Sequence, residues 1–291
     1  MPRTVEEGFR DFLPKLTPSA VETEAAKRHR ASIKARLERD FEMRRFFRTG
    51  SFGNGTSISG YSDVDYFASI PTTKLKRNSS TSLREVSAAL GNRFPLTGVR
   101  VTCPAVLVPF GTRASEDTEV VPADFIRNPS SGHSIYDIPD CAGGWKRACP
   151  EGHNAYVRRV DEALGRKVKP LIRFVKAWKY LRAVPISSFY LELCVTKYAE
   201  GEKSIVYAID VRNFLTSLHN DGLPSIRDPI GISGLISPCG TDAQLKDAKS
   251  KLATAATRAQ NARTAERAEK IKDAFYWWNL LYNDKFPSYY Y

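Results

Sequence analysis

Two acidic residues in the first third of the chain are spaced as the ligands of a metal ion are. Asp63 and Asp65 open a run of apolar residues with the composition of a strand. Side chains alternate faces along a strand, so we expect the two carboxylates on one face, one pleat apart. Carboxylates this close repel each other unless a cation lies between them, and oxygen ligands suit Mg²⁺ bound to substrate phosphates. The pair therefore predicts a metal site.

A stretch rich in glycine and hydroxyl side chains precedes this pair. It begins at Gly50-Ser51 and ends at Gly60. Its glycines allow backbone N–H groups to approach an anion closely. Taken alone, such a stretch is typical of a flexible turn, and Ser-Asp-x-Asp is typical of a loop or a helix cap. Together, and followed by a strand, they indicate a site for a nucleoside triphosphate and its metal.

These residues resemble the signature of the DNA polymerase β-like nucleotidyltransferases, a Gly-Ser turn followed by Asp-x-Asp on a strand. The longer motif in this chain is Gly-Ser-Phe-x-x-Gly-Thr, followed by Ser-Asp-Val-Asp. It is similar to the bacterial cyclic-oligonucleotide synthases of anti-phage defence, relatives of animal cyclic GMP–AMP synthase and oligoadenylate synthase. The resemblance implies an α+β fold, with a nucleotidyltransferase core of mixed sheet and helices and a C-terminal helical lobe. It also implies an active site in the cleft between the two.

The resemblance places a third metal ligand on the strand beside the Asp-x-Asp strand. In the relatives this acidic residue precedes two apolar residues and a proline, and Glu119-Val120-Val121-Pro122 fits that position. Most relatives have Asp there, so Glu119 departs from the pattern. Asp117, two residues earlier, is expected to point to the same face. The sequence favours Glu119 and leaves Asp117 as the alternative.

Two residues of the helical lobe are expected to hold the triphosphate. Residues 171–178 are similar to the family helix whose lysine grips the donor triphosphate, which places that role on Lys176. The following segment resembles the one whose polar residue, four before a Leu-Glu glutamate, also contacts phosphate; here that residue is Ser188. From its type alone Ser188 is equally a helix N-cap. The lysine helix has an apolar face typical of a core helix and a row of cations opposite: Arg166, Lys169, Arg173 and Lys176.

The resemblance implies a two-metal transfer of a nucleotidyl group. Asp63, Asp65 and Glu119 would hold two Mg²⁺ ions, or Mn²⁺ in their place, and Gly50 and Ser51 would hold the β,γ-phosphates. The implied product is a cyclic di- or trinucleotide second messenger made from ATP and/or other nucleoside triphosphates. A downstream effector would respond to it.

Other functions use the same core. A linear-oligonucleotide synthase would stop before closing the ring, and an RNA-tailing enzyme would need a groove for an RNA end. An antibiotic nucleotidyltransferase would need an acidic pocket, which the row of cations argues against. A pseudoenzyme would bind nucleotide without turnover, and the retention of three carboxylates with Gly50-Ser51 and Lys176 argues against it.

The length and the net charge of the chain indicate its domain organisation and whether it binds nucleic acid. The 291 residues are 42% apolar, enough for a lobe over residues 1–155 with a long N-terminal helix and a helical lobe over 156–291. We expect that helix from about Ser19 to Phe47, after an irregular segment over residues 1–18, which contain three prolines. The net charge is +12. Nine of the basic residues lie between Lys27 and Arg48, where intervening acids favour a solvated helix face over stable nucleic-acid binding.

Cysteine usage and hydropathy indicate the compartment. The five cysteines are an odd number without a C-x-x-C pair, which is typical of a reducing cytosol. No secretory leader or run of membrane-span length is recognisable, so we expect a cytoplasmic protein without membrane contact. Four residues lie close enough in sequence to ligate zinc, but their spacings fit no common zinc module: His133, Cys141, Cys149 and His153.

Overall fold

The computed structural model describes residues 3–18, 20–61, 64–111, 116–127 and 132–290, without the side chains of 20–23, 25, 26 and 116. Asp63, one of the predicted metal ligands, lies outside these residues. The chain divides into two compact units. One, the sheet unit, comprises residues 18–156 and 230–233; the other, the helical unit, comprises 1–17, 157–229 and 234–291.

The helices and strands are numbered in chain order. The α-helices are α1 Val5–Leu16, α2 Ala20–Phe41, α3 Gly50–Asn54, α4 Ser79–Arg93, α5 Pro150–Ala163, α6 Val168–Leu181, α7 Ser188–Glu200, α8 Tyr207–Asn220, α9 Asp242–Arg267 and α10 Ile271–Leu281. The strands are β1 Arg45–Arg48, β2 Val64–Ser69, β3 Arg100–Thr102, β4 Ala105–Phe110, β5 Glu116–Arg127, β6 Ile135–Pro139, β7 Trp145–Ala148, β8 Ile226–Arg227 and β9 Leu235–Ile236. No helix of the described ranges is long and apolar enough to cross a bilayer.

A mixed sheet forms the centre of the sheet unit, in the strand order β1-β2-β5-β4-β3. Strands β2 and β5 run parallel, whereas β1 pairs with β2 and β4 pairs with both β3 and β5 in antiparallel fashion. The C-terminal part of the long strand β5 pairs with β6, with a register shift between Phe125 and Arg127, and β6 in turn pairs with β7. Sheet and helices together make the α+β fold expected from the sequence.

The two faces of this sheet have different neighbours. Even-numbered residues of β2, β4 and β5, such as Tyr66, Val108 and Val120, pack against Ile33 and Leu37 of α2 and apolar residues of α4. On the opposite face lies a second core, around β6: Phe67, Ala105, Val121, Ala123, Tyr136, Ile138 and Ala148. Strand alternation places Asp65 and Glu119 on this second face.

The predicted N-terminal helix ends earlier than expected. We predicted helix from about Ser19 to Phe47, but α2 ends at Phe41 and Arg45–Arg48 is strand β1. Phe46 stacks on Tyr66 at 4.6 Å between ring centroids, while Phe47 meets Phe67 at 5.8 Å on the other face. Aromatic residues alternating between the two cores outweigh the helical periodicity of the preceding residues.

The N-terminal segment belongs to the helical unit. Its three prolines predicted irregular structure, but Val5–Leu16 is helix α1, started by a capping box between Thr4 and Glu7. Phe9 is fully buried, with ring centroids of Phe174 and Trp278 each 4.9 Å away. Residues 1–17 therefore pack with the helical unit and not with the lobe over 1–155, where the sequence placed them.

A disulfide links Cys103, in the turn between β3 and β4, to Cys141, after β6. Both residues are exposed, while Cys149 and Cys194 are buried free thiols and Cys239 is a partly buried one. The cysteine pattern was typical of a reducing compartment and did not indicate this pairing, because the partners are 38 residues apart and meet only through the sheet. Cys141, one of the four candidate zinc ligands, is bonded to Cys103 and therefore has no thiolate to bind a metal.

Cys103→Ser should lower the free energy of unfolding by about 2–4 kcal/mol without reductant, because the unfolded chain regains the freedom of a long closed loop. Denaturant titration measures the change, with Cys239→Ser as the control that leaves the disulfide intact. With reductant present, Cys103→Ser and the wild type should have the same free energy of unfolding. Five titratable thiols in unreduced, denatured wild type would contradict the disulfide.

Candidate active site

Asp65 and Glu119 lie directly opposite each other on the parallel strands β2 and β5. Neighbouring strands are about 4.8 Å apart, and residues in register point to the same face. Both residues are partly exposed, whereas Leu107, opposite Glu119 on β4, is buried. Two of the three predicted carboxylate ligands therefore stand side by side at one edge of an apolar surface.

Gly50 lies against Asp65. The Thr49 N–H donates to the Asp65 carbonyl oxygen at 2.9 Å, which fixes the turn on strand β2. Gly50 has φ +53°, and a Cβ atom there would overlap Asp65 Oδ2. Both the backbone conformation and the space require glycine at this position. The Gly-Ser turn and the Asp-x-Asp strand, adjacent only through folding, thus form one structural unit.

Ser51 is in the first turn of the short helix α3, where we expected a loop. The helix begins at Gly50 and ends at Asn54, and its C-cap Gly55 adopts the left-handed conformation with φ +72°. First-turn amides of a helix have no acceptor within the helix. The half-buried Ser51 thus lies where backbone N–H groups and a hydroxyl are available to an anion beside Asp65.

Asp117 lies one pleat before Glu119 and on the same face. Its Oδ1 is buried and has no hydrogen-bond partner among the described residues. Burial raises the pKa of Asp117, and the positive charge of Arg100 partly opposes that shift. An acceptor oxygen buried in this way is costly unless a donor or a cation satisfies it. The choice between Glu119 and Asp117 as the third ligand stays a prediction, with Glu119 favoured by its register with Asp65.

These carboxylates fit the metal that the sequence predicts. Asp65 and Glu119 in register offer two hard oxygen ligands, the kind that Mg²⁺ prefers, and the described residues alone form no group of three metal ligands. The fit of Asp63, which precedes the first described residue of β2, stays a prediction.

Lys176 has a different environment from the one predicted. It is 1% exposed and forms an ion pair with Glu192 of α7, itself buried. Helix α6 is buried around most of its circumference, with Phe174 and Ala177 inside as well as the predicted apolar face. The row of cations is thus not a solvated face at Lys176, and the phosphate contact of Lys176 stays a prediction.

Ser188 is the first residue of α7, and Ser187 is its N-cap: the Ser187 hydroxyl accepts from the Tyr190 N–H at 3.3 Å. The alternative reading of Ser188 as the N-cap is therefore wrong. The Ser188 hydroxyl instead accepts from the Lys179 ammonium at 2.7 Å and lies 2.9 Å from the Tyr180 hydroxyl. Sequence reasoning missed both partners, because Lys179 lies one helical turn beyond the matched lysine.

The basic segment of α2 has the charge pattern of a solvated helix. Lys34 pairs with Glu38 at 2.6 Å, and Arg36 pairs with Asp40 at 2.7 Å, each at i,i+4 spacing. These ion pairs neutralise part of the positive charge between Lys27 and Arg48, as is typical of a solvated helix face.

Solved structures share this fold along nearly the whole chain. CdnC of E. coli MS115-1, determined with ATP, superposes with a TM-score of 0.74 at 18% identity, covering 97% of this chain and 99% of CdnC. The cyclic AMP-GMP synthase DncV of Vibrio cholerae, in complex with the linear intermediate pppA(3′,5′)pG, has a TM-score of 0.76 at 13% identity, covering 94% and 93%. The likeness places this chain in the same fold class as both proteins.

The sequence also defines the family within this class. The profile of the Second Messenger Oligonucleotide or Dinucleotide Synthetase domain matches residues 3–160, more than half of the chain, and the protein belongs to that family. A probable cyclic nucleotide synthase of Bacillus cereus (strain VD146) is 29% identical over 182 residues, 58% of this chain. The match spans 51% of that relative's length.

Gly50→Ala should reduce turnover by about a hundredfold, because displacing Asp65 by about 1 Å spoils the geometry of the reacting groups. Gly98→Ala is the matched control: Gly98 has φ +68°, and a methyl group there meets no atom of the described residues within 4 Å. Both variants should lose about 1–2 kcal/mol of stability from left-handed strain, but only Gly50→Ala should lose activity. Equal activities in a steady-state assay would contradict the contact.

Lys176→Met should destabilise the protein by about 3–5 kcal/mol, because buried Glu192 loses the cation with which it forms an ion pair. Lys176→Met with Glu192→Leu should regain most of that loss, since an apolar pair of similar volume removes both charges. Denaturant titration of the three proteins tests this coupling. Lys176→Met with unchanged stability and a raised KM for nucleotide would instead restore the predicted phosphate contact.

Proposed function

We propose that the protein is a Mg²⁺-dependent synthase of a cyclic di- or trinucleotide, made from ATP alone or with other nucleoside triphosphates. The observation that carries the proposal is the register of Asp65 with Glu119 beside Gly50 and Ser51. Membership of the second-messenger synthetase family supports it. So do the ligands of two structural neighbours, ATP in CdnC and pppA(3′,5′)pG in DncV.

The reaction is the attack of a ribose hydroxyl on the α-phosphate of a triphosphate, with pyrophosphate leaving. Mg²⁺, or Mn²⁺ in its place, when bound neutralises charge on the attacking and leaving oxygens and lowers the pKa of the hydroxyl. Asp63, Asp65 and Glu119 would hold the metal pair, and Glu119 would hold mainly the ion that activates the attacking hydroxyl. Gly50 and Ser51 donate to the β,γ-phosphates and orient the leaving group. The roles of Lys176 and Ser188 in orienting the triphosphate stay predictions from the family resemblance.

The biological setting follows from the product class. A cyclic oligonucleotide without a terminal phosphate is a diffusible signal, and we propose that an effector protein responds to it in cytoplasmic anti-phage defence. Nucleoside triphosphates are the substrates. Neither stable nucleic-acid binding nor membrane contact is part of the proposal, in keeping with the ion-paired basic residues of α2.

Incubation of the protein with each pair of nucleoside triphosphates and Mg²⁺ tests this function. We expect pyrophosphate release and a labelled product that resists alkaline phosphatase but is cut by a phosphodiesterase, because a ring has no terminal phosphate. Mass spectrometry identifies the bases and the ring size. Asp65→Asn, which keeps the shape of the side chain but removes its charge, is the inactive control, and EDTA should abolish turnover.

Two outcomes would replace the proposal. Products that all lose their phosphate to phosphatase would identify a linear-oligonucleotide synthase. Lengthening of added RNA would identify a tailing enzyme.

A further inference from the structure

Arg48 is the last residue of strand β1 and comes directly before the turn that contains Gly50 and Ser51. It lies opposite Tyr66 of β2, so its side chain is on the face of the sheet that packs against α2 and α4, behind the face of Asp65. The half-buried Arg48 donates its Nε–H to the Tyr66 hydroxyl at 3.2 Å. Its Nη2 is buried and has no hydrogen-bond partner among the described residues.

The same guanidinium lies beside helix α3. Its Cζ is 5.9 Å from the centre of the Phe52 ring, within cation–π range, and Phe52 packs on the core under α2 and α4. The backbones are also close, because a Cβ atom on Gly53 would lie 3.0 Å from the Arg48 carbonyl oxygen. One side chain thus connects Tyr66 of β2 with Phe52 of α3. We call Arg48, Tyr66 and Phe52 the arginine bridge.

Helix α3 is therefore held on β2 from two sides. On the face of the acidic site, Gly50 fits against the Asp65 carboxylate and leaves no room for a larger residue. On the opposite face, the arginine bridge holds Phe52. Ser51 stands between Gly50 and Phe52 in the chain, so the two attachments together determine where its hydroxyl lies relative to Asp65.

The unused donor of Arg48 is evidence that packing alone does not explain this residue. A buried N–H group without an acceptor lowers the stability of the folded protein. A methionine has a side chain of similar length and would fill the space without this cost. The bond from Nε to Tyr66 and the charge beside Phe52 are what an arginine adds here.

We propose that Arg48 is a positioning residue for the nucleotidyl transfer. It acts through α3: the arginine bridge fixes Phe52, and thereby keeps Gly50 and Ser51 aligned with the Asp65 carboxylate. Arg48 lies on the other face of the sheet and is assigned no contact with the substrate. The inference rests on the proposed function for the identity of the reaction that this alignment serves.

Arg48→Met removes the donors and the charge but keeps the length of the side chain. Its kcat should fall between about tenfold and a hundredfold, because small displacements at a reacting centre are that costly. Its melting temperature should equal or exceed that of the wild type, because the unpaired buried N–H is gone. Arg48→Lys keeps the charge without the planar fork and should be intermediate in kcat. A melting temperature lower by many degrees with unchanged kcat would identify Arg48 as a packing residue only.

Arg93→Met is the matched control for the loss of a guanidinium above a ring. Arg93 is exposed at the end of α4, with its Cζ 5.3 Å from the centre of the Phe94 ring. This variant should keep the kcat and the KM of the wild type. An equal loss of kcat in Arg93→Met and Arg48→Met would overturn the positioning role.

A double-mutant cycle with Ser51→Ala tests whether Arg48 acts through the turn. Arg48→Met should lower the kcat of Ser51→Ala protein much less than it lowers the kcat of the wild type, because one of the groups that it aligns is already absent. Losses that multiply fully would show that Arg48 and Ser51 act independently, and would overturn the proposal.

Hydrogen exchange measured by NMR gives a readout that does not depend on turnover. The Gly53 N–H donates to the Thr49 carbonyl oxygen at 3.0 Å, and the Thr56 N–H donates to the Ser51 carbonyl oxygen at 2.8 Å. In Arg48→Met both amides should exchange about tenfold faster than in the wild type, because α3 opens more often without the bridge. In Arg93→Met their exchange should be unchanged.

The failures of the two proposals are distinguishable. If the wild type makes its product, then wild-type kcat or unchanged α3 exchange in Arg48→Met would overturn the positioning role and leave the function standing. Wild-type protein that releases no pyrophosphate from any nucleoside triphosphate would overturn the function. The exchange rates of Gly53 and Thr56 would then still decide whether Arg48 holds α3 in place.

Discussion

The parallel pairing of β2 with β5 is the constraint on which the site depends. It sets Asp65 opposite Glu119, and the same alternation that turns these carboxylates to one face turns Tyr66 and Val120 to the other, under α2 and α4. A slip of one residue would exchange the two sets, exposing a core and burying the charges. The apolar contacts of Tyr66 and Val120 therefore hold the acidic pair in register from the opposite face of the sheet. Gly50 adds a second restraint from the end of the strand.

The sequence predicted the neighbouring strands of Asp65 and Glu119 because the motifs that mark them are local. Gly50-Ser51 and the acids of β2 are close in the chain, and Glu119 lies in a pattern of two apolar residues and a proline that fits a strand. Features that depend on contacts between residues distant in sequence were harder to predict. The change from helix to strand near Phe46 depends on aromatic partners in other strands, and the packing of α1 on Phe174 and Trp278 depends on residues far along the chain. Secondary-structure propensity is a property of local sequence and does not reflect either kind of contact.

Lys176 illustrates a limit of periodicity. The spacing of apolar residues identifies which face of a helix is certainly buried, but it does not identify how much further burial extends. In α6 it extends around most of the helix, and a lysine enclosed in this way remains charged only beside a carboxylate such as Glu192. Lys179, which is partly exposed, lies near the turn into α7. In this turn Ala183 has φ +48°, and the turn brings Ser188 back towards Lys179 at the end of α6.

The disulfide between Cys103 and Cys141 means that this chain has two covalent forms. Cys103 precedes β4 and Cys141 follows β6, and these are strands that pair with different parts of β5, the strand that carries Glu119. In the oxidised protein a covalent bond joins the segments that contain Cys103 and Cys141, whereas in the reduced protein packing alone holds these segments together. Samples purified with and without a thiol reductant are thus different molecules, distinguishable by the mass of two hydrogens, and kinetic or structural results from one do not transfer automatically to the other.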